Sequence, residues 1–261
     1  MMTQLGLVMT KPELIVPTFI LGYLFFHEIV FCEAMLFLFF VMVYNGFLKS
    51  IWQIPLPDTL GIEGWAFPSG HMHSAWVFWG WLAFKLRDSV WTFIILIMLT
   101  LTGFALIQRG YHTPIDIIGA VGFGTTTLFL THYFLKCIPN CDASFALGIF
   151  LSLIAILILL FMNTDLIKPH MLQGAAALLG LTLSQKLNSG RSTQPITPRH
   201  KIYITLGMIS VTLFFISVVN WISELSNIGI QCLCWFVVAF WIGISKYLFK
   251  MPYSLHPIFK S

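Results

Sequence analysis

Residues 89–116 read SVWTFIILIMLTLTGFALIQRGYHTPID. Twenty uncharged residues run from Ser89 to Gln108, and Arg109, His112 and Asp116 follow within the next eight positions. A hydrocarbon core about 30 Å thick requires roughly 20 apolar helical residues, so the first part predicts a membrane-crossing helix. The second part predicts the mouth of that helix, because ionisable groups are costly within the bilayer and collect at its edges or in protein interiors.

The rest of the chain repeats this pattern. Of its 261 residues 58% are hydrophobic and only 9% charged, and the mean hydropathy is +0.87. A soluble domain carries about a quarter charged residues, so a water-exposed globule and a disordered chain are both excluded. The net charge of +4 is small and scattered, which argues against nucleic-acid binding. The hydrophobic runs fall at about 14–26, 33–48, 71–86, 89–108, 115–135, 143–163, 171–185, 202–223 and 227–249. They predict an all-α polytopic bundle of about nine transmembrane helices. The first run, which contains Pro17, and the seventh are short for a full crossing. His27, Glu28 and Glu33 fall in the expected turn between the first two runs. Gly119, Gly122 and Gly124, and Gly174 and Gly180, are expected where helices approach closely.

With alternating crossings, ten of the fourteen basic residues, from Lys85 to Lys260, fall on one side of the membrane. Lys11, Lys49, Arg109 and Lys168 fall on the other. The excess marks the cytoplasmic face, so the loops at 49–70 and 109–114 are expected outside. The N-terminus, with Lys11 and Glu13 ahead of Leu14, has no small-residue cleavage site, and no removable signal peptide is expected. Cys32, Cys137, Cys141, Cys232 and Cys234 have neither a zinc-ligand pattern nor an even count, and read as small apolar residues.

Both outer loops end in helix starts. Phe67-Pro68-Ser69-Gly70-His71 runs into an apolar stretch with Ser69 as a helix cap. Arg109-Gly110-Tyr111-His112-Thr113-Pro114-Ile115-Asp116 offers Thr113 as a cap and Pro114 as the first helical residue. Two helix N-termini on one side bring unpaired N–H groups and positive dipole ends, an arrangement suited to phosphate. Two histidines there suit a division into nucleophile and general acid. His112 is the better nucleophile, because Asp116 four residues on can fix its tautomer and stabilise developing charge. Asp116 equally fits a capping box with Thr113. His73 reads as a rim or packing residue, and Trp52, Trp65 and Tyr111 fit an interfacial aromatic belt.

Pro68-Ser69-Gly70-His71, followed by His112 and Asp116 and preceded by Lys49, resembles the type 2 phosphatidic acid phosphatase and haloperoxidase superfamily, in particular bacterial membrane-bound members. The resemblance covers about residues 40–125. It implies a catalytic core over 1–136 with accessory helices over 137–261. It implies His112 as a nucleophile forming a phosphohistidine, Asp116 as its partner and His71 as general acid. Lys49, Ser69 and Gly70 would bind the substrate phosphate, with no metal and no other cofactor. The implied activity is hydrolysis of a lipid phosphate or pyrophosphate at the extracytoplasmic face of a bacterial cytoplasmic membrane.

Two positions depart from the family pattern. In Lys49-Ser50-Ile51-Trp52-Gln53-Ile54-Pro55-Leu56-Pro57 the first motif's arginine is Leu56, and in the third motif Ser-Arg is replaced by Ala105-Leu106. Donors that clamp a transition state are commonly worth about 3–4 kcal/mol each, so the loss is large unless another cation serves. Arg109, one helical turn beyond Leu106, is the expected substitute phosphate ligand. The alternatives are headgroup transfer, since Tyr111-His112-Thr113 with Asp116 also resembles the sphingomyelin synthase branch, or a degenerate member that binds lipid phosphate without turnover.

Overall fold

The computed structural model describes residues 7–61, 63–138, 142–188 and 227–248, with a few positions between 206 and 217. Every long element among them is a helix: α1 (Pro12–Leu21), α2 (Glu28–Trp52), α3 (Gly70–Leu86), α4 (Ser89–Gln108), α5 (Pro114–Cys137), α6 (Ala143–Phe161), α7 (Pro169–Asn188) and α8 (Ile228–Leu248). In a bilayer the backbone must satisfy its own hydrogen bonds, which is what turns these apolar runs into helices. The eighth run, at 202–223, lies largely outside the described residues, as does Cys141. Cys32, Cys137, Cys232 and Cys234 are free thiols.

Among the described residues four helices, α2, α4, α5 and α6, are long and apolar enough to cross a membrane. Their burial separates their roles. The central stretch of α2 is 72% buried, against about a third for α4, α5 and α6, so α2 is the axis of the bundle. It packs against α3, α6 and α7. The outer helices turn Phe93, Phe104, Ile118, Phe129 and Phe161 outward, as lipid-facing helices do. A second packing line runs from α7 to α8. These two are parallel, because Gln173 Nε2 donates to Gln231 Oε1 at 2.8 Å near their starts and Gly243 meets Ser184 near their ends.

The first run is not one continuous α-helix. Its α-helical part has ten residues, Pro12–Leu21, followed by a π-helical turn at Gly22–Phe26, and together they span about 22 Å. Its start lies against the middle of α3, where Trp79 Nε1 donates to the Met9 carbonyl at 2.9 Å.

Glu33 also departs from expectation. The helix begins already at Glu28, so Glu33 sits inside α2 and not in a turn. Its carboxylate accepts from Trp81 Nε1 at 3.0 Å and pairs with Lys85 at 3.7 Å, which is what permits an acid that is only 2% exposed.

Close approach at glycine is realised at some of the expected positions. A Cβ on Gly119 would overlap the Phe67 ring, and one on Gly124 would lie 2.8 Å from Trp76. These two glycines let α5 sit on α3 and its preceding loop. Gly174 meets α2 and Gly180 meets α8 in the same way, whereas Gly122 faces nothing within 4 Å.

Candidate active site

The two helix starts singled out in the sequence form as caps. Ser69 is extended and its hydroxyl accepts from the Met72 N–H at 3.4 Å, starting α3 at Gly70. Thr113 accepts from the Asp116 N–H at 3.3 Å, while the Asp116 carboxylate accepts from the Thr113 N–H at 2.7 Å. This is a capping box on α5 with Pro114 in its first turn. A backbone hydrogen bond, Ser69 N–H to the Asp116 carbonyl at 3.1 Å, ties the two loops together. The N-termini of α3 and α5 are therefore held side by side.

The start of α3 and the loop that leads into α5 open onto a cavity of about 910 Å³. His71, His112, Gly70 and Lys49 line it. Asp116, 3% exposed, stands behind His112 with Oδ2 3.6 Å from Nδ1. That is an ion-pair distance and not a hydrogen bond. The Asp116 carboxylate thus serves the α5 cap and faces the imidazole at the same time. Ser69 is fully buried and reaches the cavity only through the turn that it shapes. Arg109 closes the C-terminus of α4, where its N–H donates to the Ala105 carbonyl at 3.1 Å, and it is not among the residues that line the cavity.

Residues 29–137 match the family model of the PAP2 superfamily. The chain carries a PAP2-superfamily domain. The match begins and ends almost with α2 and α5 and contains Lys49, Ser69, Gly70, His71, Arg109, His112 and Asp116. No curated protein and no solved structure matches the chain.

Electrostatics within the PAP2 domain set the state of the nucleophile candidate. Burial, and then the nearby Lys49 ammonium, hold the His112 imidazolium well below the ordinary histidine range, against the opposing pull of Asp116. His112 is therefore neutral near pH 7, the form with a lone pair to offer. Lys49, in the last turn of α2, donates to the carbonyl of Trp65 and to that of Ala66 at 3.5 Å. Those bonds fold the 53–66 loop over the cavity, helped by Leu56 N–H to the Gly64 carbonyl at 2.9 Å.

The two family arginine positions end in different places. Leu56 lines the cavity, whereas Leu106 is fully buried in the core. An arginine at 106 would place an unpaired charge among apolar side chains.

The structure adds residues that the sequence reading passed over. Asn45 lines the cavity, and its amide donates to the Pro68 carbonyl at 3.3 Å and lies 3.2 Å from His73 Nδ1. It therefore braces the Pro-Ser-Gly-His turn from α2. The signal was present: a polar residue one turn before Lys49 inside an apolar run is costly unless it has a task. His73 is buried under that turn. Trp65 does more than edge a belt, since its ring and its carbonyl both face the cavity's cations. Lys168, just before α7, and His170, in its first turn, line the same cavity although they lie beyond residue 137.

Proposed function

We propose that the protein is an integral membrane enzyme that hydrolyses a lipid phosphate or pyrophosphate through a phosphohistidine on His112, at the outer face of the membrane. The observation that carries this reading is the pair His71 and His112 on one cavity, with the buried Asp116 behind Nδ1 of His112.

In the proposed cycle Asp116 keeps the proton on Nδ1, which leaves the Nε2 lone pair of neutral His112 to attack phosphorus. The phosphorus–oxygen bond to the lipid breaks as the phosphorus–nitrogen bond forms. His71 gives its proton to the departing oxygen. Water then attacks the phosphohistidine and passes a proton to His71, and the released phosphate leaves His112 neutral again. Lys49 and the free N–H groups at the start of α3, at Gly70 and His71, neutralise charge on the phosphoryl oxygens. Ser69 fixes that turn. The apolar wall of Val41, Met42, Leu56 and Leu60 suits a hydrocarbon tail beside the phosphate.

Purified protein is offered phosphatidic acid and an isoprenoid pyrophosphate with phosphate release followed. A phospholipid plus an alcohol-bearing lipid acceptor, with headgroup exchange followed, tests transfer. Turnover that His112→Ala abolishes is expected in the first pair. Wild type indistinguishable from His112→Ala in every arm would refute an enzymatic role.

A further inference from the structure

The cavity has a second cationic wall that comes from outside the PAP2 domain. Lys168, Pro169 and His170 line it together with the histidines' own loops, at the point where α7 begins. The Lys168 ammonium lies 5.6 Å from the centre of the Trp65 ring, and the Trp65 carbonyl accepts from Lys49. The two ammonium groups therefore flank one residue of the loop that closes the cavity. His170 lies within the electrostatic reach of both. Among the described residues no carboxylate pairs with Lys168 or with Lys49, and Glu63 is the one acid among the residues that line the cavity.

An unpaired lysine is ordinarily solvated and needs no task. Lys168 differs in its placement: it is one of only four basic residues expected on this side of the membrane, and it shares a cavity with two histidines and Lys49. Arg109, on the same side, does not line the cavity. Leu56, which does line it, brings no charge to a position where the resemblance expects an arginine.

We propose that Lys168, just before α7, and His170, in its first turn, form the second half of the phosphate clamp, Lys168 replacing charge that Leu56 and Leu106 no longer supply and His170 adding a neutral N–H donor. This rests on the phosphate-transfer reading above. It makes the C-terminal half part of the site: α7 packs on α2 and holds the clamp in place. The ligand class is a phosphate monoester or diphosphate whose oxygens are gripped from two sides by Lys49 and Lys168.

The test is the affinity of the full-length protein in lipid nanodiscs for inorganic phosphate, measured by calorimetry without turnover. Lys168→Ala is expected to weaken binding fivefold or more, and Lys168→Arg to recover most of that loss. Adding His170→Ala to Lys168→Ala is expected to weaken it further, and a double variant no weaker than the single one removes His170 from the clamp. A loss below fivefold, or no recovery in Lys168→Arg, overturns the inference and leaves the phosphohistidine reading to be decided by turnover of His112→Ala. Absence of phosphate binding in the wild type overturns it as well.

Discussion

Asp116→Asn separates the two tasks that one carboxylate performs. Asparagine retains an acceptor for the Thr113 N–H, now received by Asp116 at 2.7 Å, so the α5 cap is kept and stability is expected to change by less than about 1 kcal/mol. The negative charge 3.6 Å from His112 Nδ1 is lost. Full unit charges at that separation attract by about 4–5 kcal/mol at an effective dielectric constant of about 20. The ring is only partly charged as the phosphorus–nitrogen bond forms, so about 3 kcal/mol is at stake, a slowing of roughly 10²-fold. The assay is phosphate release from the best substrate of the lipid panel, paired with the melting temperature of each variant. Asp116→Ala, which loses both roles, is expected to be as slow and also less stable by about 1 kcal/mol. Turnover of Asp116→Asn within threefold of wild type would show that the carboxylate only caps α5.

Because His112 must be neutral to attack and is held below the usual histidine range, the acid-side loss of activity is expected as pH drops through that lowered value. The acid limb of kcat/KM should therefore lie below about 6.5, and Lys49→Gln, which removes a charge that opposes protonation, should move it upward. A wild-type limb at or above 6.5 contradicts the assignment. Gly119→Ala is expected to lower the melting temperature, since its Cβ meets the Phe67 ring and such overpacking costs about 1–3 kcal/mol. Gly122→Ala meets nothing within 4 Å and should be neutral or stabilising through helix propensity; the reverse order would refute this account of α5. In intact cells an impermeant thiol reagent is expected to label Asp58→Cys and to leave Cys137, exposed at the far end of α5, unreacted. The opposite pattern inverts the topology.

Much of this molecule was legible one helix at a time. The stretch 89–108 was expected as a helix and forms one over those residues, because in a bilayer an uncharged run of that length has no other way to satisfy its backbone. The caps at Ser69 and Thr113 were equally legible, since a cap is a contact between residues three apart. Glu33 was misplaced because its environment depends on Trp81 and Lys85, some 50 positions on. Asp116 read in the sequence as a catalytic partner or as half of a capping box, yet one buried oxygen, Oδ2, accepts from the Thr113 N–H and also faces His112 Nδ1, so both geometries coexist.

The sequence by itself determined the class of the protein, an all-helical membrane chain with two histidines and an aspartate at helix mouths on one side. Those properties follow from composition, run length and local spacing, which act over a turn or two of helix. Only the tertiary structure decided which charges meet. Arg109 is three residues from His112 and does not line the cavity, while Lys168 is far along the chain and does. The reason is geometric: a helix end fixes the direction of its own last turn, but which distant helix start faces it is settled by how α7 packs on α2.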